Sequence, residues 1–133
     1  MDTKSRSMQS ALGRARGLGS AKADAAGHWS AQRITAVALV PLALWFVFAA
    51  VIGNIDADHA AFRAWIAQPI NATLMMLFIF TSFHHGALGM IVVLEDYVHA
   101  PGAKHITIML AKMAAAAGGL FCAICVLTLA LGG

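Results

Sequence analysis

Charge is what this sequence has least of. It carries nine Lys or Arg and six Asp or Glu in 133 residues, 11% in all, where soluble domains carry about 25%. With 60% apolar residues and a mean hydropathy of +0.76, the chain is expected to sit in a membrane. Nucleic-acid modules and ordinary soluble enzymes are excluded on that ground, and the length allows one domain at most. Cysteine is scarce too, with two residues, which excludes a secreted disulfide scaffold. Cys122 and Cys125 have C-x-x-C spacing but no second pair to complete a metal site, and they lie deep in an apolar run, so they read as small packing residues. The first 27 residues lack the apolar core of about 7 to 15 residues that a secretory signal requires. They are rich in Ala, Gly, Ser and Arg, a composition that overlaps with an organellar transit peptide but reads first as a flexible cytoplasmic tail that becomes ordered on a partner. No internal repeat is present.

What the sequence does have is three long apolar runs, over residues 34–52, 70–94 and 106–131. Each is long enough for the roughly 20 residues that carry a helix across a hydrocarbon core. Unbroken runs without alternation are not barrel strands, and lipid leaves only helices or closed barrels. The expectation is an all-α membrane protein with three transmembrane helices, over about residues 30–53, 68–97 and 104–131. Residues 1–27 form the tail and residues 28–133 the anchor domain. Gly53-Asn54 with Asp56 and Asp58, and Glu95-Asp96 with Pro101-Gly102, punctuate the runs as loops.

Lys4, Arg6, Arg14, Arg16, Lys22 and Arg33 precede or open the first run, whereas the loop after it holds Arg63 and the next holds Lys104. By the positive-inside rule the N-terminus is cytoplasmic and the C-terminus lies on the far side. Lys112 enters the third run near its inner end and is expected to snorkel back to the surface. Trp29 and Trp65 fall where interfacial aromatics belong.

An ionisable group within a span is costly and marks a functional candidate. His84 and His85 stand near mid-bilayer in the second run, where imidazole must hydrogen-bond across helices, join a proton path or bind a metal or haem iron. Neighbours on a helix point about 100° apart, so at most one of the pair serves a given iron. His85 shares a face with Gly89, Val92 and Asp96, at i+4, i+7 and i+11. Gly89 leaves room there for a flat macrocycle or a close helix. Periodicity leaves the alternatives open: His85 is equally an interhelical hydrogen-bond partner, Ser82, Gly86 and Gly89 equally a small-residue packing face, and Asp96 with Tyr97 equally interfacial polarity. The remaining histidines, His28, His59, His99 and His105, lie at or beyond the membrane edges. A haem in this membrane would therefore take its second ligand from another chain.

The stretch from His85 to His99, with its H-x-x-x-G-(x)6-D-Y pattern ending in Asp96-Tyr97, resembles the hydrophobic membrane-anchor subunit of succinate dehydrogenase (complex II). Upstream, His28-Trp29-Ser30-Ala31-Gln32-Arg33-Ile34-Thr35-Ala36 is similar to the opening of the first helix in the bacterial form of that anchor. The resemblance covers about residues 28 to 131 and implies the succinate dehydrogenase/fumarate reductase transmembrane subunit fold, in a heteromeric helix bundle. It further implies an anchor, in the bacterial inner membrane, for a flavoprotein subunit and an iron–sulfur subunit that pass electrons from succinate to ubiquinone. The C-terminus is then periplasmic. Under this resemblance His85 is an axial ligand of haem b, shared with the sister cytochrome b subunit, and Tyr97 hydrogen-bonds ubiquinone with Asp96 beside it. Arg33 is placed for a haem propionate or the quinone pocket, and His28 with it. The chain itself would carry no succinate-oxidising site. The competing reading is a non-redox membrane interaction or assembly protein whose histidines bond across helices; a di-haem cytochrome b fragment is disfavoured by the single ligand position.

Overall fold

The computed structural model describes residues 18–132, with side chains from Gly27 onward. Most of the expected tail, with Lys4, Arg6, Arg14 and Arg16, lies outside the described residues. Helix α1 spans Leu18–Trp45 and runs on through a π-helical segment, Phe46–Val51, and a 3-10 turn, Ile52–Asn54. Helix α2 spans His59–Ile66, α3 Pro69–Tyr97 and α4 Pro101–Leu131. Among the described residues the fold is all-α, as the composition requires. Three helices are long and apolar enough to cross a membrane: Gly27–Asn54, Pro69–Tyr97 and Pro101–Leu131. The chain divides between Ala31 and Gln32.

The boundaries follow local chemistry. Pro69 and Pro101 occupy the first turns of α3 and α4, where the missing N–H costs no helical hydrogen bond and the fixed φ favours the helix. Helix α4 stops at Gly132, whose φ of 85° is left-handed, and its N–H donates to the Thr128 carbonyl in the last turn. Asp58 caps α2 by accepting the Ala61 N–H at 2.7 Å. Hydropathy placed the start of the first helix near residue 30, yet it begins at Leu18. The Ala-rich stretch Leu18–Gly27 has high helix propensity and too little hydropathy to be read as part of a span.

The π-helical segment widens α1 and displaces carbonyls from their usual partners. Asn54 answers this, its Nδ2 donating to the carbonyls of Ala49 at 2.8 Å and Ala50 at 3.2 Å. Beside it lies the tightest packing in the chain, where Ala50, Ile66 and Met75 are buried together with Trp45, Phe46, Trp65, Ile79, Val126 and Leu129 against them. Trp65, read from the sequence as an interfacial aromatic, stacks between Trp45 and Phe62, with centroids 6.0 and 5.9 Å away. Phe46 stacks on Phe78 at 4.6 Å. Asn71, buried at the start of α3, donates to the Trp65 carbonyl at 2.9 Å, so α2 is tied to α3 across Ala67 and Gln68.

Helices α3 and α4 are antiparallel and approach most closely where the Phe83 ring lies over Gly118 and Gly119; a Cβ on Gly118 would stand 2.7 Å from its Cε1. Small residues permit such approach in a membrane, where association is driven by packing rather than by expulsion of water. The α3–α4 connection is Val98-His99-Ala100, and Lys104 Nζ donates to the Glu95 carbonyl at 2.8 Å, satisfying one of the open carbonyls at the end of α3. Most other large apolar side chains, such as Val37, Leu44 and Phe48 on α1, are exposed on the isolated chain. That is what a lipid-facing or partner-facing surface requires.

Candidate functional site

Midway along α3 the two histidines diverge, as the 100° step between neighbours demands. His85 turns toward α1 and is half-buried. Its Nδ1 lies 2.9 Å from Thr35 Oγ1, and the Thr35 hydroxyl also donates to the Gln32 carbonyl at 3.1 Å. Among the described residues His85 forms no other hydrogen bond, so its Nε2 is free. His84 is exposed and lines a different space, a groove of about 380 Å³ between α3 and α4 that it shares with Phe80, Lys112 and Gly119. Lys112, expected to reach for the membrane surface, stands on that groove.

The glycines divide in the same way. Gly89, one turn from His85, faces α1, and a Cβ there would meet Gln32 Nε2 at 3.6 Å. The gap expected beside the imidazole is therefore filled by a Gln32 side chain. Gln32 Oε1 is buried and has no hydrogen-bond partner. A Cβ on Gly86 would meet nothing within 4 Å. Gly86 opens on a larger groove of about 610 Å³ between α3 and α4, with Ser82, Met90, Leu94, Thr107 and Ala111. Of the small-residue face Ser82, Gly86 and Gly89, only the first two look toward α4.

Asp96 and Tyr97 close α3, and both are exposed, Tyr97 at 78%. Neither side chain makes a hydrogen bond among the described residues. The antiparallel pairing that sets Thr35 beside His85 and Gln32 beside Gly89 brings this end of α3 to the same end of the bundle as Arg33 and the start of α4. Arg33 is exposed. His28 is also exposed and belongs to the part of α1 before the division at Ala31. The structure thus joins His85 to Thr35 and Gln32, two residues the sequence offered only as part of a family pattern, and leaves Asp96, Tyr97 and Arg33 as separate polar groups at one end. Thr35 and Gln32 lacked a signal because they are 50 and more residues from His85 in sequence. Cys122 is half-buried, Cys125 exposed, and both are free thiols.

A profile of the succinate dehydrogenase/fumarate reductase transmembrane subunits matches residues 6–130. The chain belongs to that family. Curated relatives agree with it. The succinate dehydrogenase hydrophobic membrane anchor subunit of Rickettsia bellii is 34% identical over 100 residues, covering 75% of this chain and 78% of the relative. The protein of the same name from Rickettsia conorii is 31% identical over 86 residues, covering 64% and 67%, and that of Rickettsia typhi 28% over 94 residues, covering 71% and 74%. No solved structure matches the chain. The expectation of a succinate dehydrogenase membrane anchor with three transmembrane helices is borne out. The chain is a multi-pass membrane protein that works with the other subunits of its complex.

Proposed function

We propose that this membrane anchor holds one side of a haem b through His85 and forms part of a ubiquinone site at Asp96 and Tyr97. Its partners in this reading are a cytochrome b subunit, an iron–sulfur subunit and a flavoprotein subunit. The observation that carries the proposal is the half-buried imidazole of His85, bonded through Nδ1 to Thr35 with Nε2 free. A metal-ligating histidine characteristically commits its other ring nitrogen in this way. The donor set suits a shared group: among the described residues no cluster of three His, Cys, Asp or Glu could hold a metal alone, and one imidazole from each of two chains completes a bis-histidine haem site. The buried, partnerless Oε1 of Gln32 on the neighbouring turn of α1 is a second polar atom directed at this region. When bound, haem b supplies a one-electron station between the iron–sulfur clusters and the quinone.

At the end of α3 the chemistry is that of a carbonyl being reduced. The Tyr97 phenol donates a hydrogen bond to a ubiquinone carbonyl oxygen and stabilises the negative charge that develops there. The Asp96 carboxylate, at the aqueous edge, passes protons to the same oxygen. Reduction to ubiquinol takes two electrons from succinate and two protons from the aqueous side. Lys104, bonded to the Glu95 carbonyl, keeps the α3 terminus and the start of α4 together beneath this site. Arg33 supports a haem propionate or the quinone pocket as a fixed cation, with His28 in the same role. The excess of Lys and Arg at the N-terminal side orients the chain with its N-terminus in the cytoplasm and its C-terminus in the periplasm of a bacterial inner membrane.

The complex purified through a tag on this chain is expected to show flavin and a sharp b-type band in the dithionite-reduced minus oxidised spectrum, and His85→Ala to change or remove that band. An unchanged band in the variant would overturn the ligand assignment. Absence of both flavin and haem would favour the non-redox reading, for which the His85–Thr35 hydrogen bond is an interhelical tie and nothing more.

A further inference from the structure

We infer that Thr35 is a positioning residue for His85, selecting the imidazole tautomer that presents a lone pair on Nε2. The inference rests on the ligand assignment proposed for His85 and goes beyond it by naming the group on α1 that prepares the ligand.

The argument is one of proton count. A threonine hydroxyl has one proton to donate and lone pairs to accept with. Within reach of Thr35 Oγ1 are the Gln32 carbonyl at 3.1 Å and His85 Nδ1 at 2.9 Å. A carbonyl oxygen only accepts, whereas Nδ1 of a neutral imidazole either donates or accepts. If the hydroxyl proton goes to the Gln32 carbonyl, Oγ1 accepts from Nδ1–H, and Nε2 carries the lone pair. If the proton goes to Nδ1, the ring proton sits on Nε2 and no iron can be bound there. Of these two contacts the first arrangement makes both and the second only one, so the backbone carbonyl tips the hydroxyl toward acceptance. Binding of a metal at Nε2 demands the same arrangement, since Nδ1 of the ligand is then the protonated nitrogen. The polar atoms of the relay, Gln32 carbonyl, Thr35 hydroxyl and His85 imidazole, need no movement to meet that demand.

Geometry adds a second effect. Thr35 is on α1 and His85 on α3, 50 residues apart, so the bond fixes the rotation of the imidazole plane from outside its own helix. Outer partners of this kind raise the basicity of the ligand, and their loss typically weakens metal binding about 10- to 100-fold. A more basic imidazole favours the ferric state, so removal of the hydroxyl weakens ferric binding more than ferrous.

The test uses the intact, detergent-solubilised complex with three variants of Thr35. Thr35→Val keeps the shape and removes the hydroxyl, Thr35→Ala removes it without any packing strain, and Thr35→Ser restores it. A tenfold preferential loss of ferric affinity raises the midpoint potential by about 59 mV for a one-electron couple. That upward shift is expected in Thr35→Val and Thr35→Ala, with a changed low-spin ferric g-anisotropy, and potential and spectrum are expected to return in Thr35→Ser. Potentials equal to wild type in Thr35→Val and Thr35→Ala, or a Thr35→Ser complex that behaves as they do, would overturn the inference. Electron–nuclear double resonance on the wild-type ferric complex supplies a check that needs no variant. It is expected to detect an exchangeable proton on Nδ1 whose coupling disappears in D2O, and its absence would also overturn the inference. Failure of the underlying ligand assignment looks different, because His85→Ala would then leave the haem band untouched.

Discussion

Replacing Tyr97 by Phe removes one oxygen atom from a side chain that is 78% exposed and hydrogen-bonded to nothing among the described residues. Folding therefore loses nothing: no protein partner is left unsatisfied, and surface substitutions of this kind stay within about 0.5 kcal/mol. The entire effect is expected at the quinone. A hydrogen bond to a group that carries charge is worth about 1.5–3 kcal/mol, and each 1.4 kcal/mol is about tenfold in rate. The loss in kcat/KM for ubiquinone is thus about 10- to 150-fold. Two assays on the same preparation separate the possibilities, succinate-driven reduction of a ubiquinone analogue and succinate-driven reduction of an artificial dye that accepts electrons from the soluble subunits. Tyr97→Phe should lose the first and keep the second, with flavin and haem content unchanged. Equal loss in both assays would show that the phenol supports assembly, and no loss in either would remove Tyr97 from the quinone site.

Two further substitutions test the packing. Gly118→Val adds a branched side chain where even a Cβ would stand 2.7 Å from the Phe83 ring, so it is expected to lower the thermal midpoint of the detergent-solubilised complex by an overpacking cost of about 1–3 kcal/mol. Phe83→Leu in the same chain should recover part of that loss, and a Gly118→Val complex as stable as wild type would mean that α3 and α4 do not close at this point. Ile66→Ala empties a site that is 1% exposed and is expected to cost about 2–5 kcal/mol, seen as faster proteolysis between α1 and α3. A cost below about 1 kcal/mol would mean that Ala50 and Met75 collapse into the space.

The sequence made the spans legible and much of the detail between them illegible, for identifiable reasons. Pro69 and Pro101 announce the starts of α3 and α4, and the expected ends near residues 97 and 131 agree with Tyr97 and Leu131. Helix α2 was passed over because Asp56 and Asp58 read as loop residues, although Asp58 is in fact its cap. The π-helical segment Phe46–Val51 has no hydropathy signature, since the residues on either side are equally apolar. At the candidate site, the helical offset from His85 to Gly89 and Asp96 could be read from spacing alone. The filling of the Gly89 gap by Gln32, and the Thr35 bond to His85, could not, because a period along one helix carries no information about the rotation of the helix it faces.

That rotation is where the π-helical segment matters. A π turn is one residue longer than the α turn it replaces, so it behaves as a single-residue insertion absorbed into a continuous helix. Each residue turns an α-helix by about 100°. Upstream of the segment α1 presents Thr35 and Gln32 to α3, and at the segment it presents Phe46 and Ala50 to Phe78 and Met75. Both sets face the same neighbour only because the extra residue resets the phase between them. The segment is thus a phase corrector: it lets the helix be chosen separately at its two ends, for chemistry near Thr35 and for packing near Ala50. A chain shortened by one residue between Phe46 and Val51 would keep its hydropathy and its length in the membrane, yet it would have to give up one of the two faces.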